Sequence, residues 1–81
     1  MRPEQLQPLT REEHIELGRE LKKTRVRLDE LAALVAEVYG AQNHAVLAFE
    51  KIVEALEELS KRMQAQAAED LRPNRAEPFY T

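Results

Sequence analysis

The 81-residue sequence contains no cysteine and no tryptophan, and it has only two glycines. Without cysteine, neither a disulfide nor a thiolate-ligated zinc site can stabilise the fold. No apolar run approaches the roughly 20 residues of a membrane span, and residues 1–9 carry no apolar core of a secretory signal. Net charge is −3, which gives no global attraction to nucleic acid or anionic lipid. These features predict a cytoplasmic protein without membrane contact.

The sequence also lacks the residue patterns of enzymes. It has no glycine-rich phosphate loop and no nucleophile with an adjacent base. Its two histidines, His14 and His44, are far apart in the sequence, and zinc needs three or four converging ligands. Four glutamates between positions 50 and 58 occur without a pocket that would desolvate them. We therefore predict no catalysis, no metal, no cofactor and no small-molecule substrate, and we expect His14 to be partly buried at the end of a helical bundle.

What the sequence does contain is a heptad pattern from Leu17 to Met63. Apolar residues recur at alternating steps of three and four, with Thr24 and Gln42 as polar exceptions. Such a face is buried against other helices. The residues predicted to form an oligomer interface are Leu17, Leu21, Leu28, Leu31, Val35, Val38, Phe49, Ile52, Leu56, Leu59 and Met63.

Local signals give the limits of two helices. Thr10 followed by Glu13 is typical of a capping box, so a first helix is expected over residues 11–39. Gly40 suits a left-handed residue after the helix, and Asn43 suits the N-cap of the next one. The domain organisation predicted is an extended segment over 1–9, a helical hairpin over 10–69 with a turn at 40–43 and a second helix over 44–69, and an extended or disordered tail over 70–81.

The heptad frame runs through Gly40 without a skip, which leaves one long helix in a parallel coiled coil as the alternative fold. Two observations favour the hairpin. The segments on either side of Gly40 are nearly equal in length, and apolar residues from Leu31 to Leu56 form a face wider than a two-stranded coiled coil needs. The predicted fold is therefore an all-α antiparallel hairpin. Because a lone hairpin of this size exposes about as much apolar surface as it hides, we expect it to dimerise into a four-helix bundle.

Three surfaces are candidates for function. Leu47 lies on the face opposite the heptad pattern and is a candidate contact for another protein. Phe79 and Tyr80 of the tail form a second candidate contact for another protein. Arg19, Lys22 and Lys23 share an outward helix face and are candidate contacts for nucleic acid. The sequence thus predicts a non-catalytic homo-oligomeric interaction, scaffolding or small regulatory protein, with a nucleic-acid-binding hairpin dimer as the alternative.

Overall fold

The computed structural model describes residues 7–71 and 77–80, and it contains two helices, α1 (Arg11–Tyr39) and α2 (His44–Asp70). The two helices pack against each other as a hairpin, and the Arg25 guanidinium contacts the Glu57 carboxylate across them at 2.7 Å. The predicted all-helical hairpin is confirmed. The alternative of one continuous helix is wrong, because the chain turns back at residues 40–43.

The helix ends follow from local chemistry. The Thr10 hydroxyl accepts a hydrogen bond from the Glu13 backbone N–H at 3.1 Å, and the Glu13 carboxylate accepts one from the Thr10 N–H at 2.9 Å. This is the predicted capping box, which satisfies backbone donors that the first turn leaves without partners. At the start of α2, the Asn43 side chain accepts from the Ala45 N–H at 2.8 Å, so the predicted N-cap is confirmed as well.

Gly40 ends α1 in a different conformation from the one expected. Its φ of 95° is positive, as predicted, but its ψ of 154° lies outside the left-handed helical region. The Gly40 N–H donates to the Ala36 carbonyl at 2.8 Å, and its own carbonyl accepts from the Asn43 N–H at 3.2 Å. With this extended ψ the chain continues directly to the N-cap of α2 and makes no left-handed turn. Only glycine readily adopts this combination of positive φ and extended ψ.

The hairpin is a single layer. Its Cα atoms span 49 × 27 × 16 Å, with a radius of gyration of 16.2 Å, whereas a compact chain of this length would have a radius near 12 Å. Among the described residues, the buried hydrophobic side chains are Val46, Ala67 and Tyr80. A core normally forms between at least two packed layers, so this hairpin has little core of its own. Over the same residues, neither helix combines the length and hydrophobicity needed to cross a bilayer.

Candidate functional site

A buried polar network closes the open end of the hairpin, where α1 begins and α2 ends. His14 has no exposed surface. Its Nε2 lies 2.9 Å from Asp70 Oδ2, and its Nδ1 lies 2.6 Å from the Tyr80 hydroxyl. An imidazole with its proton on Nε2 donates to the carboxylate and accepts from the phenol, which satisfies both ring nitrogens. The network joins α1, α2 and the segment formed by residues 77–80, called here the C-terminal segment.

The surroundings shift the pKa of two members of this network. Hydrogen bonds from the Gln66 amide and from His14 lower the pKa of Asp70 below its ordinary value, because they stabilise the carboxylate. Burial, followed by the nearby negative charge of Asp70, raises the pKa of Tyr80 above its ordinary value of 10.0. Both shifts keep the groups in the forms that the network uses, an ionised carboxylate and a neutral phenol.

The Gln64 side chain holds the backbone of the C-terminal segment. Its Nε2 donates to the Glu77 carbonyl at 2.8 Å, and its Oε1 accepts from the Phe79 and Tyr80 N–H groups at 2.9 and 3.2 Å. One amide therefore makes three hydrogen bonds to the backbone of the segment. The Phe79 N–H also donates to the Glu77 carbonyl at 2.9 Å, which closes a tight three-residue turn at Pro78. A single side chain of α2 thus fixes the position of this turned peptide on the hairpin.

Gly18 and the aromatic rings complete the contact. A Cβ at position 18 would collide with the Phe79 carbonyl, so the absent side chain lets the segment approach α1. The Phe79 ring stacks on His14 with centroids 5.8 Å apart, and the Tyr80 ring meets the same imidazole edge-on at 5.7 Å. At the segment's other end, Arg11 pairs with the Glu77 carboxylate at 2.6 Å.

Most of this site was not predicted from the sequence. His14 was expected at the end of the bundle with partial burial, but it is fully buried, because Phe79 and Tyr80 cover it. No functional role was predicted for Gln64, Asp70 or Gly18. The available signals were a glycine inside a helix of good helix formers, where close approach of another backbone is the usual reason, and two adjacent aromatic residues in a polar tail.

The residues predicted to form an oligomer interface fall into two groups. Most are half-buried between α1 and α2, but Val38 is 66% exposed, Ile52 48% and Leu59 40%. Leu34, outside that set, is 57% exposed. Arg25 of α1 and Glu57 of α2 contact each other and so mark one side of the hairpin. Counting from them with 3.6 residues per helical turn places Leu34 and Val38 of α1, and Ile52 and Leu59 of α2, on the opposite side. This side, called here the apolar face, is opposite the one that bears the Arg25–Glu57 pair and the C-terminal segment.

The three candidate partner contacts separate in the structure. Phe79 and Tyr80 fold onto the open end instead of extending outward, whereas Leu47 is 39% exposed near the turn. Phe79, Tyr80 and Leu9 lie at the opposite end of the hairpin, so none of them covers Leu47.

Two of the three candidate nucleic-acid contacts pair with acids of their own helix. Arg19 contacts Glu16 at 2.7 Å, and Lys23 contacts Glu20 at 3.4 Å. Lys22 has no ion pair within the described ranges 7–71 and 77–80. Neighbouring carboxylates reduce the field that this helix face presents to a phosphate backbone.

Comparison with known proteins finds no matching family model, no similar curated protein and no similar solved structure.

Proposed function

We propose that this chain is a non-catalytic interaction protein that assembles with a second copy of itself through the apolar face. The exposure of Leu34, Val38, Ile52 and Leu59 on one side of the hairpin is the observation that carries the proposal. These residues come from both helices and lie on the same side of the hairpin. A four-helix bundle buries such a surface by placing two hairpins face to face.

The energetics support a second copy as the occupant. The chain's accessible surface of 6461 Å² exceeds the roughly 5,000 Å² expected for a compact monomer of its mass. Full burial of a large aliphatic side chain contributes about 1.5–3 kcal/mol. Burying the exposed half of four such side chains on each of two chains would contribute about 6–12 kcal/mol, a gain comparable with the cost of association of about 4–15 kcal/mol. A symmetric pair also needs no second gene product to cover the surface.

The test is the mass in solution of the full chain and two variants, measured by light scattering at several concentrations. We expect the wild type to have twice the mass of the 9.4 kDa chain. Ile52→Glu places two carboxylates in the dimer interface, where desolvation costs several kcal/mol, so dimerisation should weaken more than about a hundredfold. Leu47→Glu is the matched control, since Leu47 is similarly exposed but points away from the apolar face, and it should remain dimeric. A helical wild type that stays monomeric at all concentrations would disprove the proposal.

Nucleic-acid binding by Arg19, Lys22 and Lys23 is the alternative, and the ion pairs to Glu16 and Glu20 make it the weaker one. If it holds, labelled RNA or DNA will bind at low salt with an affinity that falls steeply as salt rises. A protein that scaffolds through the apolar face shows no such retention. Another protein bound at Leu47 would be a further partner of the proposed dimer, and Leu47→Glu would abolish its capture while the dimer persists.

A further inference from the structure

The contacts at the open end of the hairpin are those of a peptide-binding site. Gln64 hydrogen-bonds the backbone of a segment that turns at Pro78, and Gly18 leaves room for a peptide carbonyl. Neither feature serves the packing of α1 against α2. Both act only on residues 77–80, which reach the site from beyond the end of α2.

The same site distinguishes side chains at three positions of the segment. Arg11 pairs with a carboxylate at the position of Glu77, a weak preference because both side chains are half exposed. The His14 ring stacks on the aromatic residue at the position of Phe79. Its Nδ1 is hydrogen-bonded to a hydroxyl at the position of Tyr80, where phenylalanine would leave a buried nitrogen without a partner. The site therefore fits an acidic and aromatic peptide with the order Glu-X-Phe-Tyr whose backbone turns at the second position.

We propose that this open end is a peptide-binding site that accepts the C-terminal segment of a second copy of the chain as well as its own. Every copy carries both the site and the matching segment, so exchange between two copies replaces each contact with an identical one. Exchange of an identical element between protomers is a low-cost route to association. The side of the hairpin that bears the site is opposite the apolar face, so this link is independent of the proposed dimer.

The docked state sets a limit on the affinity between molecules. A short tether gives a segment an effective concentration in the millimolar range, and here only residues 71–76 join the segment to the end of α2. Docking within one chain occurs when the dissociation constant for the untethered segment lies below that concentration. A separate peptide of the same sequence should therefore bind a vacant site with a dissociation constant below about 1 mM.

The first test titrates a fluorescent peptide of residues 72–81 into full-length proteins and follows its anisotropy. In the double variant Phe79→Ala/Tyr80→Ala the chain's own segment no longer fills the site, so the peptide should bind saturably. On the wild type it should bind at least about tenfold more weakly, because the tethered segment competes. Adding Gly18→Ala to the double variant should abolish binding, since the methyl group meets the peptide carbonyl while alanine favours the helix. A peptide with alanine in place of Tyr80 should fail on every protein.

Circular dichroism is the control that checks whether each variant remains helical. If the double variant loses its helices, Tyr80→Phe takes its place, since it keeps the ring and removes only the hydroxyl. The peptide should then bind Tyr80→Phe more tightly than it binds the wild type. No saturable binding to the helical variant, or equal binding after Gly18→Ala, would overturn the peptide-binding site.

The second test mixes two full-length chains, both carrying Ile52→Glu to remove association through the apolar face. One chain also carries Phe79→Ala/Tyr80→Ala and offers a vacant site. The other carries Gly18→Ala and offers an intact segment with a blocked site. The mixture should contain a species of twice the monomer mass that neither chain forms alone. Masses that are unchanged on mixing would overturn exchange between copies, whatever the outcome for the apolar face.

Discussion

His14, Asp70 and Tyr80 show how three residues far apart in the sequence satisfy one another's hydrogen-bonding groups. The carboxylate accepts hydrogen bonds from Gln66 and from the imidazole, and the imidazole is hydrogen-bonded to the Tyr80 hydroxyl. A buried polar group without a partner costs about 1–3 kcal/mol, and within the described residues no buried side-chain polar atom lacks one. Removal of any one member therefore leaves another unsatisfied.

The raised pKa of Tyr80 predicts release of the C-terminal segment at high pH. A group whose pKa is higher when docked contributes stability that is complete below its ordinary value of 10.0 and is lost as the pH rises through the docked value. In a Tyr39→Phe variant, absorbance near 295 nm reports Tyr80 alone, and its midpoint should lie above 10. Gln64→Ala, which frees the backbone of the segment, should return the midpoint towards the ordinary value. Identical midpoints in the two proteins would mean that docking does not raise the pKa of Tyr80.

At the scale of elements, the turn depends on one backbone conformation. Gly40 has a φ of 95°, and the position that an L-alanine Cβ would take has no atom within 4 Å. The cost of a side chain there is thus backbone strain alone, about 1–3 kcal/mol. The same substitution removes a helix penalty of about 1 kcal/mol and so favours the continuous helix that the heptad frame permits.

Gly40→Ala should therefore lower the free energy of unfolding by about 1–3 kcal/mol, measured by urea denaturation. D-alanine, introduced by chemical synthesis of the chain, is the matched control because it adopts positive φ without this strain. It should restore the stability of the wild type. Equal destabilisation by both isomers would show that the side chain, not the backbone, is responsible.

Features set by neighbouring residues could be predicted from the sequence, whereas the docked segment could not. Thr10, Glu13 and Asn43 act within one helical turn, so their caps were readable from spacing alone. The segment binds through pairs such as His14 with Tyr80, which are 66 positions apart. Nothing in the spacing of polar residues identifies Gln64 as the side chain that holds another backbone. Complementarity of this kind becomes visible only when the hairpin brings its two ends together.

For the whole molecule, the distribution of charge limits how two hairpins can stack. The apolar face is concentrated near the turn, where Leu34, Val38 and Ile52 lie. Towards the open end, the same side of α1 carries Glu16 and Glu20, which follows from the helical repeat. Stacking with both turns at one end places apolar surface on apolar surface. The opposite orientation would place the apolar half of each hairpin against Glu16 and Glu20 of the other, which would take their ion pairs with Arg19 and Lys23 out of water at a cost in desolvation.

The proposed dimer should therefore have its two turns at the same end, and the absence of native cysteine makes the orientation measurable. Gln42→Cys attaches one spin label to the exposed turn, and Glu12→Cys attaches one to the open end. Neighbouring helices of a bundle lie 8–10 Å apart, so two turn labels should be separated by about 10–25 Å once the label arms are included. A mixture of chains labelled at the turn and chains labelled at the open end should give distances close to the 49 Å length of the hairpin. The reverse result, with distant turns and a short turn-to-end distance, would establish the opposite orientation and would require the apolar face to tolerate the glutamates of its partner.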